Sequence, residues 1–338
     1  MPLIASSTYQ APFWLPGGHL QTIVPALARK APQVTCQPER LELADGDFLD
    51  LEWFNEGRSR LAILCHGLEA SAAATYIQGM AEALIRRGWD VLAWNYRGCS
   101  GEMNRLPRFY HSGASEDLQA VVEHALATHP ATELDLIGFS LGGNMILKYL
   151  GERSDHSPRL HRAVTFSVPC DLACSSKTLG TLFNRSVYMK RFIDSLAGKI
   201  RAKQPMFPDL LDPAGLKGVR TFKQFDDRYT APLHGFRDAE DYWARSSSRQ
   251  FLSRIRIPTL LVNAANDPFL GPGCYPREEA EASDFLHLEI PATGGHVGFF
   301  GGGPEAWVES RALEFLGSIL TESCQKTDLR HANNVADR

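Results

Sequence analysis

The 338-residue chain has no apolar run long enough to span a bilayer. Its first residues, Met1-Pro2-Leu3-Ile4-Ala5-Ser6-Ser7, lack the basic region and apolar core of a secretory leader. Seven cysteines are scattered, the number is odd, and no two form a C-x-x-C pair. This usage suits a reducing compartment. No Walker loop or dinucleotide fingerprint occurs, and no cluster of ligands suggests a metal, so no cofactor is expected. Internal repeats and low-complexity stretches are absent. A formal net charge of −4 gives neither nucleic acid nor a bulk anionic surface a basic partner. These absences leave a soluble cytoplasmic protein with a small-molecule substrate as the expectation.

The length suits one α/β domain with an insertion. Leu41-Glu42-Leu43 and Phe48–Trp53 alternate on either side of Ala44-Asp45-Gly46-Asp47, which reads as a β-hairpin. Strands at 61–65, 90–95, 134–138 and 162–168 then alternate with helices at 71–88, 115–129 and 141–152. Buried strands alternating with helices predict a mainly parallel sheet covered on both faces. The rhythm stops over 169–256, where no strand is evident. A helix near 176–203, with Leu179, Leu182, Phe183, Phe192, Leu196 and Ile200 at helical spacing, and a second over 238–254 predict a helical cap insertion. Strands at 257–264 and 285–290 and a helix from Pro304 to about 320 complete the core (1–168 and 257–320). Residues 1–38 read as an irregular arm, and 321–338 as a disordered tail.

Gly138-Phe139-Ser140-Leu141-Gly142 stands between the strand Leu134–Ile137 and a helix. This strand, G-x-S-x-G turn and helix form a nucleophile elbow. The turn leaves almost no room beside the serine, which glycines 138 and 142 satisfy. Ser140 is then a nucleophile at a helix N-terminus, where partial positive charge favours an alkoxide. A serine hydroxyl also needs a base and an acid to orient that base. Asp267 follows the strand 257–264, and His296 follows the last strand, in the chain order Ser, Asp, His. The loop His66-Gly67-Leu68-Glu69 follows the strand 61–65. Its Leu68 N–H, with that of Leu141, would form an oxyanion hole. Asp171 is the rival for the acid, on the loop after the preceding strand.

Other polar residues read as structural. His66 shapes the oxyanion loop, Arg97 forms an internal salt bridge, and Glu69 is a solvated or structural carboxylate. His111 either lines the pocket or fixes backbone. Asp226 and Asp227 read as hydrogen-bonding groups joining cap to core. Lys177, Arg185, Lys190, Arg191, Lys199, Arg201 and Lys203 stand against Asp194 alone in 176–203. They form a solvated basic face, or one that meets anionic lipid or an anionic acyl carrier.

The chain resembles the YheT-like branch of the α/β-hydrolases. The resemblance runs from about 12 to 320 and is carried by Gly18-His19-Leu20-Gln21-Thr22, His66-Gly67-Leu68-Glu69, Asn95-Tyr96-Arg97-Gly98, Tyr110-His111-Ser112-Gly113, Phe225-Asp226-Asp227, His234-Gly235-Phe236 and Gly294-Gly295-His296-Val297-Gly298. It implies the α/β-hydrolase fold and a serine carboxylesterase with Ser140 as nucleophile, Asp267 as acid and His296 as base. One departure is Ala70, where a glycine is expected. An acyltransferase would share this triad, and a ligand-binding protein without turnover would share the fold.

Overall fold

The computed structural model describes residues 3–30, 32, 34–301 and 305–317. Nine strands among them form one sheet: β1 (Leu3–Ile4), β2 (Gln37–Glu42), β3 (Phe48–Phe54), β4 (Arg60–Cys65), β5 (Asp90–Asn95), β6 (Glu133–Phe139), β7 (Leu160–Phe166), β8 (Thr259–Val262) and β9 (Leu286–Glu289). Their spatial order is β1-β9-β8-β7-β6-β4-β5-β3-β2. β3 is antiparallel to both β2 and β5, and every other pairing is parallel. The β2–β3 turn is closed by Gly46 at φ 86°, a left-handed position that glycine takes without strain.

The central strands are apolar on both faces because helices cover both. α3 (Ser115–Thr128) and α4 (Leu141–Glu152) bury Leu118, Val121, Met145 and Ile146 against one face. α2 (Thr75–Arg86) and the helix Trp307–Gly317 bury Ile77, Met80, Val308 and Leu316 against the other. The parallel strands β4, β6, β8 and β9 end at one edge of the sheet. The loops that follow them therefore converge there. Glu116 and Asp117 in the first turn of α3 suit the positive end of its dipole.

Residues between β7 and β8 contain no strand, although β7 and β8 are hydrogen-bonded neighbours. The helix expected over 176–203 is broken. α5 (Leu172–Leu179) ends at Gly180, and the chain resumes at Leu182–Asn184, a π-helical turn Arg185–Met189 and Lys190–Lys203. The break and the π-turn shift the register. Leu182 and Phe183, at helical spacing with Leu179 and Ile200 in the expected helix, are consequently exposed, while Leu179 and Ile200 are buried. The helix expected over 238–254 likewise ends at Ser246 and gives way to a 3-10 segment, Arg249–Arg254.

The arm over 1–38 is not wholly irregular. It contributes β1 and α1 (Gly17–Ala28). Pro16, the Gly17-Gly18 pair and Pro25 disguise this helix, since local propensity opposes it. Tertiary contacts hold it instead: Gln21, Thr22 and Pro25 are its buried residues. The expected tail 321–338 and Pro304 lie outside the described residues.

Candidate active site

Ser140 is the single residue between β6 and α4. It sits at φ 52°, ψ −117°, a region a non-glycine residue occupies only under tertiary constraint. Its N–H donates to Phe166 O at 2.8 Å, and its carbonyl accepts Asn144 N–H at 3.0 Å. A side chain at Gly142 would strike the Cys65 and His66 carbonyls, and a Cβ at Gly138 would stand 2.7 Å from Gly143 N. The two glycines that flank the serine are therefore required by space.

The loop after β9 brings His296 to this turn. Its Nε2 lies 2.9 Å from Ser140 Oγ, and its Nδ1 lies 2.8 Å from Asp267 Oδ2. Asp267, on the loop after β8, is buried, and its Oδ1 also accepts the Phe269 N–H at 2.8 Å. The imidazole stacks on the Phe269 ring with centroids 4.0 Å apart. The three side chains thus form one hydrogen-bonded line from a hydroxyl through an imidazole to a buried carboxylate. Asp171 is not part of it: its Oδ1 caps α5 by accepting the Cys174 N–H at 2.9 Å.

Leu68 and Leu141 line the same cavity as Ser140 and His296. Their neighbours' amides are engaged. Gly67 N–H donates to Tyr76 Oη at 2.9 Å, Glu69 N–H to Tyr110 Oη at 2.8 Å, and Ala70 N–H to Gly67 O at 3.3 Å. Among the described residues, the backbone N–H groups of Leu68 and Leu141 have no partner. They are left available to an anionic oxygen in the cavity. Ala70 has no left-handed φ, whereas Glu69 has φ 54°, so the missing glycine at 70 leaves no backbone strain at that position.

The residues around this loop hold its shape. His66 is fully buried; its Nδ1 donates to Gly67 O at 2.7 Å, and its Nε2 faces the Tyr96 N–H. Burial pushes its pKa down to about 3, so it stays neutral. Glu69 is not solvated. Its carboxylate receives the Tyr110 hydroxyl at 2.7 Å and Lys199 Nζ at 2.9 Å, and reaches Ser195 Oγ at 2.5 Å. Arg97 is tied to Asp117 at 2.7 Å and Asp47 at 2.8 Å. His111 both lines the cavity and accepts the Gly113 N–H at 3.2 Å; burial holds its pKa well below the usual imidazole range.

The cavity walls are largely apolar, with Leu172, Leu179, Phe192, Leu196, Phe222 and Trp243 contributed by the β7–β8 insertion. Asp226 also lines it, accepting the Thr230 hydroxyl at 2.6 Å and the Trp243 indole N–H at 2.8 Å. Burial raises its pKa to about 7. Asp227 forms an ion pair with Lys223 at 2.9 Å and accepts the Ala239 N–H at 2.8 Å. The pair therefore braces the insertion internally and does not join it to the core, because every partner lies within 222–243. No group of three or more potential metal ligands occurs among the described residues.

The element missed in the sequence, α1, supports two of the three loops. Gln21 Oε1 accepts Gly294 N–H and Asn266 Nδ2–H, both at 2.9 Å. Thr22 Oγ1 accepts the His296 N–H at 2.9 Å. One helix turn thus fixes the loops carrying Asp267 and His296. The signal was present in Gly18-His19-Leu20-Gln21-Thr22, since a side chain at Gly18 would strike Asn266 O.

A family profile described as alpha/beta hydrolase fold matches residues 62–302. The chain belongs to the α/β-hydrolase fold family. This α/β hydrolase is 37% identical to "Putative esterase YheT" of Escherichia coli (strain K12) over 90% of its own length and 92% of that protein. It falls in the YheT-like branch. It is 29% identical to the mouse (Mus musculus) phospholipase ABHD3 over 88% of this chain and 75% of that one. Among solved structures, the Pyrococcus furiosus esterase Pf2001 superposes with a TM-score of 0.58 at 19% identity, covering 86% of this chain and 98% of that one. At that identity the likeness is one of fold. No helix among the described residues is long and apolar enough to cross a membrane.

Proposed function

We propose that this hydrolase cleaves carboxylic esters through an acyl-enzyme on Ser140. The observation that carries the reading is the line Ser140 Oγ–His296 Nε2–His296 Nδ1–Asp267 Oδ2, with steps of 2.9 and 2.8 Å. His296 takes the hydroxyl proton as Ser140 Oγ attacks the ester carbonyl, and Asp267 stabilises the imidazolium so formed. The carbonyl oxygen becomes an oxyanion held by the N–H groups of Leu68 and Leu141. On collapse, His296 returns the proton to the departing alcohol. Water then repeats the sequence in reverse on the acyl-enzyme. Similarity to proteins named esterase and phospholipase supports ester cleavage over other acyl chemistry.

The segment 169–256 acts in this reading as a cap whose inner face selects the acyl chain. Support comes from the cavity, which unites Ser140 and His296 with Phe192, Leu196 and Trp243. Hydrolysis of p-nitrophenyl esters of increasing chain length tests both parts. A short- to medium-chain optimum that moves to longer chains in Phe192→Ala is expected. No hydrolysis at any length would overturn the reaction, and an unmoved optimum would overturn the cap's role.

A further inference from the structure

Two surface segments carry apolar side chains that the described fold leaves uncovered. In the arm, Phe13 is 96% exposed, and Trp14, Leu20 and Leu27 are exposed with it. Leu20 and Leu27 are two turns apart on α1 and share one face. In the insertion, Leu182 is 78% exposed and Phe183 is exposed beside it. His19 joins the two segments. Its ring lies 4.3 Å from that of Phe183, centroid to centroid, and its Nδ1 lies 3.1 Å from Tyr188 Oη.

Neither of these segments carries a carboxylate, and two of the cations beside them are unpaired among the described residues. Residues 1–38 and 182–193 contain no Asp or Glu. Lys190 is held by Asp194, but Arg185 and Arg191 are exposed and form no ion pair among the described residues. The basic stripe read from the sequence is thereby reduced. Lys199 turns inward to Glu69, and Lys203 is buried against the Leu106 and Arg108 carbonyls at 2.6 and 3.1 Å. Outward at this end are Arg185 and Arg191, with Lys190 paired to Asp194 between them, beside Leu182 and Phe183.

Exposed aromatic and aliphatic side chains rimmed by unpaired cations suit the headgroup–acyl boundary of an anionic bilayer. A second copy docked two-fold through this same face would bring a second set of unpaired arginines and no carboxylate from either segment, so charge disfavours that self-association. The same stretch of chain turns inward at Leu179 and Phe192, which line the cavity at Ser140. We propose that the face formed by the arm and residues 182–191 docks the protein reversibly on anionic lipid, setting the cavity beside a layer of ester lipid. The substrate half of this statement rests on the ester-hydrolase reading; the docking half does not.

The test is co-sedimentation of full-length Ser140→Ala protein with phosphatidylcholine vesicles and with vesicles containing phosphatidylglycerol. Binding to the anionic vesicles is expected, weakened by raised salt. Leu182→Ser/Phe183→Ser should lower partition about 10-fold or more, and Arg185→Glu/Arg191→Glu should abolish the preference for anionic lipid. Melting curves identify a variant that has lost its fold, and the second pair, at exposed arginines, decides in that case. No binding to either vesicle, equal binding to both, or wild-type binding by both variants would overturn the docking. So would a dimer in sedimentation velocity that either variant dissociates, because the face would then be a self-contact. Hydrolysis of a soluble short-chain ester by the wild-type protein is measured separately. Its failure beside intact docking removes the esterase reading alone.

Discussion

Lys199 Nζ meets Glu69 Oε1 at 2.9 Å, joining the helix Lys190–Lys203 of the insertion to the residue that follows Leu68. Tyr110 completes the clamp by accepting the Glu69 N–H and donating to its carboxylate. In the proposed mechanism Lys199 is a positioning residue for the Leu68 N–H. Lys199→Met is expected to lower kcat about 10-fold with little change in KM, less than the ~100-fold or greater cost of losing a donor outright. Lys199→Arg should restore part of the loss. Steady-state kinetics on a short-chain p-nitrophenyl ester checks this; an unchanged kcat beside a lowered Tm would reduce the contact to a structural one.

Asp267 and Asp171 separate by their partners, His296 for the first and the Cys174 N–H for the second. Asp267→Asn leaves the wrong histidine tautomer favoured and is expected to cost roughly 10,000-fold in kcat. Asp171→Asn changes a helix cap and should cost about 1 kcal/mol of stability or less, with kcat within a few-fold. Parallel kinetics and thermal melts of the two variants decide the assignment. A larger kinetic loss at Asp171 would reverse it.

Asp226 makes stability depend on pH. Its folded pKa, about 7, stands above the ordinary carboxylate value, so the unfolded chain loses this proton at lower pH than the folded one. Its contribution is present below the ordinary value and is lost as pH rises towards about 7, at up to about 1.4 kcal/mol per pH unit. Asn can keep the Trp243 indole bond and donate to Thr230. Asp226→Asn should therefore gain stability over wild type as pH rises from 5 to 7.5, read as a widening Tm difference. A constant difference would show that the carboxyl is not neutral in the folded protein.

Gln21 holds the loops of Asp267 and His296 together through one side-chain oxygen. Gln21→Leu leaves Gly294 N–H and Asn266 Nδ2 without that acceptor and is expected to cost about 1–3 kcal/mol. Because the His296 loop loosens, kcat should fall as well, in a variant that remains folded at assay temperature. A melt together with kcat at low temperature separates the two effects.

The sheet and the order of serine, aspartate and histidine were legible because they depend on local signals. β4 and β6 are buried on both faces and read as continuous apolar runs, and the elbow needs glycine at 138 and 142 for steric reasons that any sequence must meet. Leu68 and Glu69 were placed by the loop after β4. The supports were harder to read. α1 is held by Gln21 and Thr22 against loops more than 240 residues away, while its own glycines and prolines argue against a helix. The π-turn at Arg185–Met189 shifts the face of the helix it interrupts, so Leu182 and Phe183, which helical spacing groups with Leu179 and Ile200, lie exposed while those two are buried. Asp226 and Asp227 looked like a link between cap and core because adjacency in sequence says nothing of which partners the fold brings to them.

The central claim is that Ser140 carries the acyl group. Reaction with a fluorophosphonate, followed by peptide mapping in a mass spectrometer, tests it most directly. The account predicts one adduct, on Ser140, formed in step with loss of esterase activity, absent in Ser140→Ala and strongly slowed in His296→Ala. An adduct on another residue, or a Ser140→Ala protein that still labels and hydrolyses ester, would contradict it.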